Sequence, residues 1–318
     1  MSKKQTFLLQ TILSFAALYA CFYEVDWSKA QDLLYTISVP MLVLAIVIKS
    51  IGLIVREIRL WIILDSPRPS FYSTVYVGLA AGLMHTFLPF RGGDILSIAM
   101  LHKYCGLQTS QASVAVGICA FFEMLIFALF LFILVLVQPY WYTILGENLI
   151  QQTLGSTSVI IVVGLIAIII FAMLGKKHPN DDVEKPKEAS AIHIFFQQLF
   201  SYTHKAVARK KLVFQLTIST LEIVMMISSF VLALHAMGIV VDAPFGTVAI
   251  ILGFSAIAAV ALPPSYGAGP GAAIAFVFTL LHLSDEQALT YAGLWWLLSQ
   301  IPTLITGLPS FWMIRKRE

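Results

Sequence analysis

The sequence predicts an all-α fold, a polytopic membrane helical bundle of six uninterrupted spans and two interrupted regions. Three observations carry that expectation. Of the 318 residues, 59% are hydrophobic and 12% charged, and the mean hydropathy of +0.87 lies far above that of a water-soluble domain. The apolar residues gather into runs of about 20, the length a helix needs to cross a hydrocarbon core. Two stretches are also broken by proline and glycine, "LPFRGGD" from Leu88 to Asp94 and "LPPSYGAGPG" from Leu262 to Gly271.

Taken in order, Lys3 and Lys4 precede an apolar run at 6–24. Bulky Tyr19 suits no cleavage site, so this run reads as an uncleaved first helix rather than a signal peptide. Spans follow at 38–62, 112–137, 158–174, 213–237 and 288–312, with broken regions at 72–104 and 245–283. Each broken region offers two hydrophobic pieces, which either re-enter or cross as a pair; Ile95–Leu101 looks too short to cross. The segment "QPYWYT", Gln138–Thr143, reads as an outer loop with interfacial aromatics.

Basic residues set the orientation. Lys3, Lys4, Arg56, Arg59, Arg68, Lys176, Lys177, Lys205, Arg209, Lys210, Lys211, Arg315, Lys316 and Arg317 can all lie on one side, which puts both termini and the 175–212 linker in the cytoplasm of a bacterial inner membrane. The charged, proline-bearing "KKHPNDDVEKPKEAS" is a linker, too short for a soluble catalytic domain, and the stretch after it has the apolar spacing of an interfacial amphipathic helix.

The order span, span, broken region, span then occurs twice. Corresponding elements lie about 175 residues apart, 38 to 213, 88 to 262 and 112 to 288. The first half starts inside and the second outside, so the reading is an inverted-topology repeat with a substrate site near the midplane. The divisions are 1–174, the first repeat with the first span of the second; 175–212, the linker and amphipathic segment; and 213–318, the remainder.

Within the first break, Pro89 removes a backbone donor while Gly92 and Gly93 permit close approach. A helix starting near Gly93 or Asp94 would aim its amides at an anion, with Arg91 as a phosphate partner; alternatively Arg91 and Asp94 pair to hold a turn. The second break holds Pro263, Gly267 and Gly269, with Ser265 and Tyr266 as its polar side chains. It either lines a path or forms a tight helix crossing.

Glu123 and Glu222 lie deep in apolar spans, where an unpaired charge costs several kcal/mol. They serve either proton or charge coupling or a structural hydrogen bond, with Lys49 as a candidate partner. His85, His235 and His282 lack ligand spacing and read as interhelical hydrogen-bonding groups. Cys21, Cys105 and Cys119 show no C-x-x-C spacing, so no zinc site or disulfide framework is expected. No metal or cofactor motif appears, nor any P-loop, H-E-x-x-H or G-x-S-x-G. The net charge of +3 sits in loops and gives no nucleic-acid footprint.

The run "LPFRGGD" with "GLQTSQASVAVGICAFFE", and later "ALPPSYGAGPGAAIAFVFTLLHLSDEQALTYAGLWWLLSQIPTLITG", resembles the flippase-like transmembrane family that includes the membrane portion of lysylphosphatidylglycerol synthase. The likeness covers nearly the whole chain. It implies a bundle that moves polar lipids, with a phosphate-bearing headgroup received near Arg91 and Asp94, membrane lipids as partners and a lipid-modifying enzyme as a further candidate partner. The family pattern carries over to Pro89, Arg91, Gly92, Gly93, Asp94 and Glu123. The sequence departs from it at Ser97, Met124, Phe127, Gly271–Ala273 and Leu294–Trp296, where the family carries further charges. A membrane-embedded enzyme of lipid or polyprenyl-phosphate glycan metabolism, with Asp94 or Glu123 as base, and a non-transporting scaffold subunit remain alternatives.

Overall fold

The computed structural model describes residues 16, 19–64, 69–87, 92–138, 140–174, 203, 209–261 and 268–316. Among them are ten helices and no strand: α1 Trp27–Thr36, α2 Val39–Ile63, α3 Phe71–Phe87, α4 Gly92–Cys105, α5 Thr109–Val137, α6 Tyr140–Leu174, α7 Arg209–Ala236, α8 Pro244–Ala261, α9 Ala268–Leu280 and α10 Asp285–Arg315. The protein is a polytopic helical bundle. Among the described residues, five stretches are long and apolar enough to cross a membrane, Val39–Ile63, Thr109–Val137, Ile144–Ile170, Lys211–Ala236 and Asp285–Arg315. Most of the first expected span at 6–24 (all but residues 16 and 19–24), the residues of the two breaks at 88–91 and 262–267, and most of the 175–212 linker lie outside the described residues.

Helix ends follow local chemistry. Asp26 caps α1 through its carboxylate, which accepts from the Ser28 and Lys29 amides, and these contacts, the Ser28 hydroxyl first, hold its carboxyl below the usual range. Ser284 and Gln287 form a reciprocal capping box at the start of α10, satisfying donors that a helix start leaves open.

Each broken region yields a helix pair packed together, α3 with α4 and α8 with α9. The second member is short in both, 14 residues in α4 and 13 in α9. At about 1.5 Å per residue such helices reach roughly 20 Å, short of a hydrocarbon core of about 30 Å.

Two expectations shift. The span placed at 158–174 belongs to a helix running from Tyr140, kinked at Gly146 (φ 73°). Its polar stretch does not interrupt it, because Thr153, Ser156, Thr157 and Ser158 donate their hydroxyls to carbonyls three or four residues back. Trp141, read as an interfacial aromatic, is fully buried and donates Nε1–H to Gln138 Oε1 at 3.1 Å.

The broadest contact among the described helices is between α2 and α7, and α10 lies along both α2 and α3. One apolar core gathers around α7 to α10, where Phe230 and Trp295 stack at 3.7 Å and the Tyr291 hydroxyl donates to Phe230 O at 2.9 Å. A second gathers around α2 to α5. Outward faces are apolar too, as at Val43, Val47, Ile51 and Ile54 on α2 and Ile305, Leu308 and Phe311 on α10; water would not tolerate such a surface, but lipid does.

The α3–α10 crossing depends on Gly307. A Cβ there would stand 2.7 Å from Leu83 Cβ and 3.0 Å from Leu79 O. Gly307→Val is therefore expected to cost about 1–3 kcal/mol, read as a lower midpoint of thermal unfolding in detergent. An unchanged midpoint would mean that the two helices can part without loss.

Candidate functional site

Three cations fall on one helix: Lys49, Arg56 and Arg59, within the span Val39–Ile63. Spacings of seven and then three residues bring them to neighbouring positions on the helix surface. Arg59 has no exposed surface. Its Nη2 donates to Glu123 Oε1 at 2.6 Å and its Nη1 to Ser219 Oγ at 2.7 Å, while Glu222 Oε2 pairs with Nη1 at 3.2 Å. Ser219 and Glu222 are three apart on α7 and so share a face. One guanidinium thus joins α2 and α5 of the first half to α7 of the second. A charge held this deep needs such partners, since an uncompensated ion in an apolar interior is strongly destabilising.

Beside it, Arg56 Nε donates to Glu57 Oε1 at 2.9 Å, with Glu57 almost fully buried. Gly78 on α3 makes room for that carboxylate; any Cβ there would overlap its Oε2 and Cδ. Lys49 Nζ lies over the Phe230 ring, 4.9 Å from its centroid, a favourable cation–π contact. It makes no ion pair among the described residues. The cluster therefore counts three cations and three carboxylates, Lys49, Arg56 and Arg59 against Glu57, Glu123 and Glu222.

Next to the cluster is a cavity of about 280 Å³. Lys49, Leu53 and Arg56 of α2 form one wall, Leu79 and Gly82 of α3 another, and Ser299, Gln300, Thr303 and Thr306 of α10 the third. The volume is near the lower end of small-molecule pockets, about 300 Å³. It suits a polar headgroup rather than acyl chains. Pro302 lies inside α10 beside this wall and lacks the amide that would bond the Leu298 carbonyl; hydroxyls of Ser299, Thr303 and Thr306 bond back to their own helix.

A family model described as the lysylphosphatidylglycerol synthase TM region matches residues 7–307. The chain belongs to that family. No curated protein and no solved structure matches it.

Two of the positions weighed from the sequence have partners in the bundle: Glu123 accepts from the Arg59 guanidinium on α2, and Trp295 stacks on Phe230.

Of the residues singled out from sequence, Glu123 and Glu222 come together on Arg59, and Lys49 lines the adjoining cavity without pairing with either carboxylate. Gly92, Gly93 and Asp94 form the first turn of α4, and Gly269 is buried in the first turn of α9. Arg91, Pro89, Pro263, Ser265, Tyr266 and Gly267 lie outside the described residues. His235 and His282 are exposed near helix ends instead of bonding between helices, and His282 sits in a turn at φ 56°. The cysteines are free. No group of metal-binding side chains occurs among the described residues.

Arg56 and Arg59, read from sequence only as charges that mark the cytoplasmic side, also belong to the site. The signal was available, since both fall inside the predicted span at 38–62.

Proposed function

We propose that the chain is a flippase-like lipid translocase, moving a polar lipid with an anionic, phosphate-bearing headgroup across the bacterial inner membrane, with both termini cytoplasmic. The observation that carries this reading is the headgroup-sized cavity, with Lys49 and Arg56 on its wall, inside a bundle whose outer surface is apolar. A cation pair in a low-dielectric recess draws an anion far more strongly than one in water. Acyl tails can stay in lipid while the headgroup passes. Gly92, Gly93 and Asp94, with Arg91, Ser265 and Tyr266 of the two breaks, take part in handling the headgroup on this reading, and the two halves act as an inverted repeat that opens the recess to each side in turn. Glu123 and Glu222, both paired with Arg59, couple charge to that exchange on this reading.

The test is movement of headgroup-labelled phosphatidylglycerol by the purified protein in liposomes, followed by quenching from outside. Wild type should expose inner-leaflet lipid faster than empty liposomes. Lys49→Gln should slow this at least about tenfold, the effect of about 1.4 kcal/mol on a barrier, and Lys49→Arg should keep most of the rate. A wild-type rate equal to that of empty liposomes would sink the assignment.

A further inference from the structure

We infer that the cavity selects headgroups that combine a phosphate with free hydroxyls, a polyol phosphate, over headgroups bearing an ammonium or a methylated amine. This rests on the reading of the cavity as the headgroup site and names what that site prefers.

Its two long walls offer opposite chemistry. On α2 stand Lys49 and Arg56, and none of the residues lining the cavity is an acid. Arg56 commits Nε to Glu57, while its Nη2 lies 3.0 Å from where a Cβ on Gly82 would stand, and Gly82 is part of the cavity wall. This side therefore presents positive donors.

The α10 side presents acceptors. Ser299 donates its hydroxyl to Trp295 O at 2.8 Å, Thr303 to Ser299 O at 3.0 Å and Thr306 to Pro302 O at 2.8 Å. A hydroxyl carries one proton; once it is donated along the helix, only lone pairs remain for a ligand. Gln300 also lines the cavity, and its amide brings a carbonyl acceptor beside its NH2 donors.

A fitting ligand must put an anion against α2 and hydrogen-bond donors against α10. Phosphocholine brings the anion but no donor. An ethanolamine or lysyl ammonium brings donors, yet sets a positive charge in a recess that already holds two cations and no lining carboxylate. Hydroxyls of a glycerol or sugar phosphate meet both walls. The cavity thus disfavours the lysylated lipid after which the family is described, and favours the unmodified polyol form.

The experiment is titration of the detergent-solubilised full chain with short-chain phosphatidylglycerol, phosphatidylcholine, phosphatidylethanolamine and lysylphosphatidylglycerol. Phosphatidylglycerol should bind about tenfold or more tighter than each of the others, one well-made hydrogen bond being of that order. Gln300→Leu should cut the phosphatidylglycerol-to-phosphatidylcholine ratio by about tenfold, with an unfolding midpoint measured alongside to show that it folds. Equal binding of the four lipids, tighter binding of either amine-bearing lipid, or a ratio untouched by Gln300→Leu would overturn the inference. Selective binding without movement in liposomes would leave the site standing and remove the translocase reading instead.

Discussion

Arg59→Met is expected to lower stability by about 3–5 kcal/mol, the usual loss when one partner of a buried ion pair is removed. Methionine fills much of the volume of arginine and is at home in an apolar interior, so packing is a small part of the effect. The loss comes from what remains: Glu123 and Glu222 side by side without the guanidinium that holds them at 2.6 and 3.2 Å, and Ser219 Oγ without its donor. Two like charges in a low-dielectric setting repel strongly. The measurement is the unfolding midpoint of the purified protein in mild detergent, with the triple variant Arg59→Met, Glu123→Gln, Glu222→Gln alongside. The triple variant should regain most of the loss, because replacing a whole buried ionic group is often near neutral. If the single variant unfolds with wild type, the cluster does not hold the halves together; if the triple variant is no better than the single, lost packing and not orphaned charge is the cause.

That cluster also marks how far the sequence could be read. The helical class and five of the six uninterrupted spans were legible, because a hydrocarbon solvent imposes length and composition on any helix that crosses it. Each interrupted region was legible as two short apolar pieces, Phe71–Phe87 with Gly92–Cys105 and Pro244–Ala261 with Ala268–Leu280, while the breaks themselves lie outside the described residues. Glu123 and Glu222 were found by the cost of a carboxylate in an apolar run.

Their partner was not found, because a run of Lys and Arg near a span end has two meanings. The topology rule reads Arg56 and Arg59 as markers of the cytoplasmic side, and only tertiary packing shows Arg59 sealed against α5 and α7. The α10 wall was hidden for another reason. Ser299, Gln300, Thr303 and Thr306 look like ordinary hydroxyl and amide residues of a membrane helix, and their spacing becomes a lining only where α10 lies along α2 and α3. Trp141 shows the converse error, in which a sequence context of tyrosines and a turn suggested an interface while its neighbours bury it.

Gly78→Val should be the next most damaging single change, at about 2–4 kcal/mol, above ordinary overpacking because it also disturbs a buried charge. Gly78 is fully enclosed where α3 meets α2, and the Glu57 carboxylate occupies the space its side chain would need, with Glu57 Cγ itself 3.0 Å from an added Cβ. Rotating the end of Glu57 therefore does not clear a valine. Glu57 must leave, and it takes with it the 2.9 Å bond that orients Arg56. Stability and function should then fall together, since Arg56 forms part of the cavity wall. A second substitution separates the two effects. Gly78→Val with Glu57→Ala removes the overlap, so the unfolding midpoint should recover by more than half, while lipid movement stays low because Arg56 has lost the neighbour that aims it. Recovery of both would show that Glu57 does no more than fill space. Recovery of neither would place the damage in the helix contact itself.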